Sequence, residues 1–305
     1  MSKKKVALIY VPIHLGGTHR GASMGPLAIQ VAELSERIAA SGFSVDSEVS
    51  ISVPNSLCWW DRKANTPKCV PEILAVSADL SQAVETALDQ GSIPITIGGD
   101  HSLAIGSIAG VSNFYRKRNE KFGLIWFDAH GDINTPDTSY SGNVHGMPLA
   151  VSLGLGDRRL VELNGYFPKV EAARTALIGI RDIDPPETEI IRQTGITSFT
   201  MHDVDRLGIS SVTEESLAKA GDGVPHIHLS FDLDVLDPEI APGVSTVAPG
   251  GLNYREVSFA LSLLAGSGKV GSIDIAELNP ANDLRNRTAH LATDLVLHCL
   301  GKQLL

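Results

Sequence analysis

The chain has 305 residues, enough to bury a sizeable core in one large α/β domain or in two smaller ones. Its 43% hydrophobic and 20% charged residues are those of a folded globular protein and exclude disorder. A formal net charge of −10 argues against a nucleic-acid or anionic-membrane partner, because binding phosphates needs a basic face.

No apolar run reaches the roughly 18 residues that a bilayer crossing requires. The opening MSKKK leads into VALIYV, which is too short for a secretory apolar region and is followed by no cleavage-site pattern, so the cytoplasm is the expected compartment. Cys58, Cys69 and Cys299 are an odd count with no C-x-x-C pair and suggest neither a disulfide framework nor a zinc knuckle. Free thiols are expected, with a Cys58–Cys69 bridge as the alternative.

In chain order, β-type apolar runs fall at 6–11 (VALIYV), 93–98 (IPITIG), 123–128 (GLIWFD), 175–180 (TALIGI), 226–232 (HIHLSFD) and 270–277 (VGSIDIAE). Helical patterns separate several of them. Over 26–42, Leu27, Val31, Leu34 and Ile38 recur every three or four residues and Gly42 closes the run. Continuous apolar strands alternating with helices predict βαβ units and a parallel sheet covered on both faces. No linker, repeat or low-complexity tract divides the chain, so one domain over 1–305 is expected. The loop bearing His14 and His19 reads as solvated, or else as an accessory contact at a site mouth. Trp59 and Trp60 read as core or subunit contact.

Ligands of such sheets bind beyond the carboxyl ends of the strands. Here the 93–98 run ends in GGDHS, 123–128 in DAHGD, 175–180 in RDIDPPE, 226–232 in DLDVLDP and 270–277 in AELNP. Five of the six runs thus deliver acidic groups to one edge, two of them with histidine. In an extended segment Asp128, His130 and Asp132 point to one face, and Asp232 and Asp234 repeat the alternation. Each motif alone also fits a solvated loop, a helix cap at His101 or, for Asp237-Pro238, an ordinary turn. Gly98-Gly99 suits a tight turn that lets backbone approach closely and aims His101 inward.

Together His101, Asp128, His130, Asp132, Asp232 and Asp234 make four carboxylates and two imidazoles. Oxygen donors supplemented by nitrogen suit Mn²⁺ and similar ions better than structural zinc. Six ligands exceed one open tetrahedral site but fit two ions sharing carboxylates, with formal charges in balance. Such a pair, roughly 3.5–4 Å apart, can lower the pKa of a bridging water and present hydroxide, which implies hydrolysis.

The motifs GGDHS, DAHGDINTP, SGNVHGMPLA, SFDLDVLDP and AELNP, with the opening GGTHRGASMGP, resemble the arginase family of the ureohydrolase superfamily over nearly the whole chain. The resemblance implies a three-layer α/β/α fold around a central, mostly parallel eight-stranded sheet, two Mn²⁺ ions, and hydrolysis of L-arginine to L-ornithine and urea. It would give one ion His101, Asp128, Asp132 and Asp232, and the other His130, Asp128, Asp232 and Asp234, with Asp128 and Asp232 bridging and Asp132 orienting the hydroxide.

The same resemblance assigns Glu277 to the guanidinium, for which a carboxylate is the natural acceptor, and His145 to protonation of the departing amine. It places Asn134, Ser139, Ser141, Asn143, Asp184 and Glu187 at the amino-acid end of the substrate, although Pro185-Pro186 stiffens the turn before Glu187. Agmatinases typically carry HG-x-x-x-R where this chain has HGMPLA. Arg181 reads as structural. Arg255 and Glu256 match positions used between subunits, so a homotrimer or homohexamer is implied, with an exposed helix as the alternative. Two further readings stay open: a related ureohydrolase acting on agmatine or a guanidino acid, and a non-catalytic ligand-binding protein on the same fold.

Overall fold

The structure is a computed structural model that describes residues 3–55 and 67–302. Its centre is an eight-stranded sheet formed by β1 (Lys5–Val11), β2 (Ser44–Ser50), β3 (Ser92–Gly98), β4 (Gly123–Phe127), β5 (Thr175–Ile180), β6 (Thr197–Thr200), β7 (Ile227–Asp232) and β8 (Val270–Ala276). The strand order is β2-β1-β3-β8-β7-β4-β5-β6, and the paired strands are parallel.

Alternation along the strands sends side chains to two apolar cores. On β4, Ile125 and Phe127 join one core with Leu229 and Phe231 of β7, under helices Tyr254–Gly266 and Arg287–Cys299. Leu124 and Trp126 join the other, under helices Val70–Asp89 and Ala104–Arg116. Because both faces are covered, the central strands read as continuous apolar runs. No helix among the described residues is long and apolar enough to cross a membrane.

All six expected strands form. The two that composition did not mark, SVDSEVS and TSFT, are the sheet's two edges, where the outer side lacks a neighbour and polar, part-exposed residues suffice. The helix expected over 26–42 is two helices, Gly25–Val31 and Leu34–Ala40, broken where Glu33 takes a left-handed φ of 60°. Leu27 and Val31, expected to face inward, are 62% and 64% exposed, and Ala28 and Ile29 fill the core instead. Cys299 is a free buried thiol, but Cys69 is disulfide-bonded, which corrects the free-thiol expectation at that position. Cys58, Trp59 and Trp60 lie outside the described residues.

The five strands expected to carry acidic endings, β3, β8, β7, β4 and β5, are consecutive across the middle of the sheet. In a parallel sheet their carboxyl ends share one edge. The N-terminal loop closes over that edge through backbone bonds from Gly99 N–H to Val11 O (3.0 Å) and from Asp100 N–H to Ile13 O (3.0 Å). A Cβ on Gly99 would overlap the Ile13 carbonyl, so this approach is open only to glycine.

Candidate metal centre and active site

Asp128 leaves β4 fully buried, with its two oxygens facing different histidines. Oδ2 accepts the Trp126 indole N–H at 2.8 Å and lies 3.3 Å from His101 Nδ1; Oδ1 accepts the His130 backbone N–H at 2.7 Å and lies 3.3 Å from His130 Nδ1. Around His101 Nδ1 stand Asp132 Oδ2 (3.1 Å) and Asp232 Oδ2 (2.9 Å) as well, while Asp234 Oδ2 stands 3.1 Å from His130 Nδ1. Two groups able to hold a cation result, His101–Asp128–Asp232 and Asp128–His130–Asp234, and Asp128 belongs to both. Asp232 falls in the first; its Oδ1 accepts the Asp234 backbone N–H at 2.8 Å.

The His101 ring is locked from outside this cluster. It stacks on Trp126 with centroids 4.2 Å apart, and its Nε2 lies 2.9 Å from Ser230 Oγ on β7. Locking the far nitrogen aims Nδ1 at the carboxylates. That Nδ1 is buried and has three carboxylate oxygens within 3.3 Å, yet none of them meets it with hydrogen-bond geometry. Ligand atoms that converge this closely without hydrogen-bond geometry are arranged as a cation's ligands would be. The electrostatics agree. Burial, together with the neighbouring Asp128, pushes Asp132 up to about 7, and burial with mutual repulsion raises Asp232 and Asp234. Burial opposes protonation of His101 and His130, but the surrounding carboxylates raise both. A divalent cation would meet these charges directly, so the residues fit a metal.

Glu277, at the end of β8, sits in the left-handed region with φ 63°, as does Asp132 with φ 49°. Strained backbone at two site carboxylates indicates that the fold imposes their direction. Glu277 Oε1 accepts the His101 backbone N–H at 2.9 Å and lies 2.9 Å from His145 Nδ1; Oε2 is buried with no partner among the described residues. Burial works against the charged form of each, yet the pair favours it: His145 holds Glu277 low, and Glu277 with Asp100 and Asp132 lifts His145 to about 9. His145 is set from behind by its own N–H, which donates to Gly16 O at 3.1 Å. Gly16 in turn donates to the buried Asp100 at 2.8 Å. His101 does not cap the following helix; Asp100 does that work by accepting the Ser102 backbone N–H.

A cavity of about 340 Å³ joins this centre to the loop 134–143 and the turn after β5. Its size suits a small molecule. Ser139 Oγ accepts the Gly142 N–H at 3.0 Å and Ser141 Oγ the Asn143 N–H at 3.2 Å, which leaves both hydroxyl protons to donate. Asn134 Nδ2 donates to Asp184 Oδ2 at 3.1 Å. Glu187 reaches the cavity in spite of the two prolines, but Oε2 accepts the Asp184 backbone N–H (3.1 Å) in a capping box and Oε1 accepts the Ile133 backbone N–H (3.2 Å). Burial pushes it up to about 7.

The family model for the arginase family matches residues 4–301. The chain belongs to the arginase family. It is a hydrolase. An arginase of Bacillus subtilis is 43% identical over 99% of both chains. The crystal structure of an arginase from Bacillus caldovelox superposes with a TM-score of 0.94 at 40% identity, over 99% of this chain and 100% of that one. An Entamoeba histolytica arginase in complex with L-ornithine gives a TM-score of 0.88 at 32% identity, covering 99% and 100%.

In this arginase-family member all fourteen of the metal-ligating, catalytic and substrate-binding positions predicted from sequence gather at the one edge. Sequence reasoning passed over Asp182, whose carboxylate lies 3.8 Å from His130 Nε2, and Thr246, which lines the cavity from an irregular loop without a motif of its own. RDIDPPE could have marked Asp182, since it stands two residues before Asp184. Arg181 is structural, as expected: its guanidinium donates to backbone carbonyls including Asp234 O (2.6 Å) and Ala248 O (2.7 Å). His19 is exposed and His14 half-buried, and neither lines the cavity. Glu256 forms a capping box with Asn253, which gives it a role within its own helix, and Arg255 is exposed.

Proposed function

We propose that this hydrolase cleaves L-arginine to L-ornithine and urea, with two Mn²⁺ ions held by His101, Asp128, Asp132 and Asp232 on one side and by His130, Asp128, Asp232 and Asp234 on the other. When bound there, the ions supply Lewis acidity that brings the pKa of a water towards neutrality. The observation that carries the reading is the buried Oε2 of Glu277, which has no partner among the described residues, beside the acidic cluster. With Oε1 anchored twice, Oε2 is the acceptor left for a guanidinium N–H, and the strained backbone fixes where it points.

Asp132 accepts a proton from the attacking water and orients it. The water oxygen bonds to the guanidinium carbon, and the bond from that carbon to the δ-nitrogen breaks. His145, kept protonated near neutral pH by Glu277, donates a proton to the departing amine. At the other end, Asn134, Ser139, Ser141 and Asn143 donate to the α-carboxylate and Asp184 accepts from the α-ammonium, with Glu187 bracing the loop and adding negative charge. The ornithine held by the Entamoeba relative supports an amino-acid ligand of this shape. One domain over 1–305 is supported by the single sheet that both cores share. A homotrimer or homohexamer is the assembly that the family resemblance supports.

The test is urea release by manganese-loaded protein offered arginine, agmatine and 4-guanidinobutyrate separately. Arginine should be the productive substrate. Urea from agmatine and not from arginine would overturn the specificity, and none from any of the three would overturn the reading.

A further inference from the structure

The cavity is acidic at both ends. Beyond the cation-binding groups its wall carries Asp182, Asp184 and Glu187, and its described lining includes neither lysine nor arginine. Arg181 faces away into backbone carbonyls. Neutral donors can bond to a carboxylate but do not offset this field, so a substrate carboxylate would be repelled unless a cation stood close behind the donors.

Lys68 stands there. It lies just before the helix Val70–Asp89, and it braces the loop twice: its backbone N–H donates to Gly142 O at 3.1 Å, and its Nζ donates to Asn143 Oδ1 at 2.6 Å. An ammonium has donors only, so the amide of Asn143 can face it with the carbonyl end alone. The amide's two N–H donors are then turned from Lys68, and Asn143 lines the cavity. The bond to a charged donor also polarises the amide and strengthens those N–H groups.

We propose that Lys68 is the specificity-determining cation of this site: it fixes Asn143 with its donors towards the substrate and supplies the positive charge that favours an α-carboxylate. This rests on the arginine reading above and extends it, since a guanidino compound without that carboxylate gains nothing from Lys68.

The experiment compares manganese-loaded wild type with Lys68→Met, which keeps an unbranched stem, and Lys68→Arg, which keeps the charge. Steady-state urea release gives kcat and KM for arginine. Calorimetry gives Kd for L-ornithine and for putrescine, the same diamine chain without the carboxylate. Lys68→Met should raise KM for arginine and Kd for ornithine by about ten-fold or more, with kcat within about two-fold and putrescine binding unchanged or tighter. Lys68→Arg should recover most of the loss. Equal weakening of ornithine and putrescine would show a merely structural brace, and unchanged ornithine binding would show no role; either overturns the proposal. Calorimetry needs no turnover, so a wild type that made no urea would sink the arginine reading while the comparison of the two diamines still judged Lys68.

Discussion

Asp128 is the residue on which the centre turns. Trp126 holds one of its oxygens and the His130 backbone holds the other, so neither can rotate away from the histidine it faces. In Asp128→Asn the –NH₂ group cannot ligate a cation, and whichever way the amide is turned it also presents a donor to an N–H or removes an acceptor. Both metal positions should weaken together, and activity should fall by more than about a hundred-fold, beyond what loss of an outer-shell partner costs. Metal analysis checks this: full retention of both ions would contradict the shared role of Asp128. At this scale the residues were legible in the sequence but the reason was not, for the expected extended alternation ends with the strands. Past Asp128 the backbone bends and Asp132 is left-handed (φ 49°), while Leu233–Val235 is a 3-10 helix, so turns after the strand ends bring the side chains together. Nor could the sequence state which oxygen does what, since the free Oε2 of Glu277 and the Lys68–Asn143 bond depend on neighbours 176, 132 and 75 residues away.

Among the elements, the turn after β3 shows how backbone clearance positions chemistry. Gly99 lets the N-terminal loop lie directly on the strand end, and from that contact follow the bracing of Gly16 by Asp100 and the seating of His145. Gly99→Ala should force the loop away, destabilising the fold by about 2–3 kcal/mol and lowering activity; a denaturant midpoint matching wild type would show that the loop yields freely. The glycine pair was readable as a close approach, but its partner at Ile13 was not. The edge strands Ser44–Ser50 and Thr197–Thr200 escaped composition because a strand with one neighbour needs little apolar surface. The break at Glu33 escaped it because a left-handed residue leaves the spacing of Leu34 and Ile38 intact while turning Leu27 and Val31 to the surface.

Across the whole molecule, the candidate site lies at the carboxyl edge of the sheet, while a buried polar chain runs through the sheet's interior. His226 Nε2 and His228 Nδ1 both meet Ser272 Oγ, at 2.7 and 2.8 Å, and His228 Nε2 lies 3.0 Å from Asp274. Burial, with His228 beside it, pushes His226 down to about 3 from an ordinary 6.5. The unfolded chain therefore binds this proton first as pH falls, so stability is fully present above about 6.5 and is lost progressively towards 3, by about 1–2 kcal/mol between pH 7 and pH 5. Urea midpoints across that window should show His226→Gln with the shallower pH slope; identical slopes would mean that this histidine does not set it. At the carboxyl edge, six side chains from three strand ends converge into groups that could hold cations, and the proposed function places two there. The most direct measurement is the manganese content of the chain after loading and removal of free ion. Two ions per chain are predicted, and a saturated content of one, or of none, would contradict the paired centre.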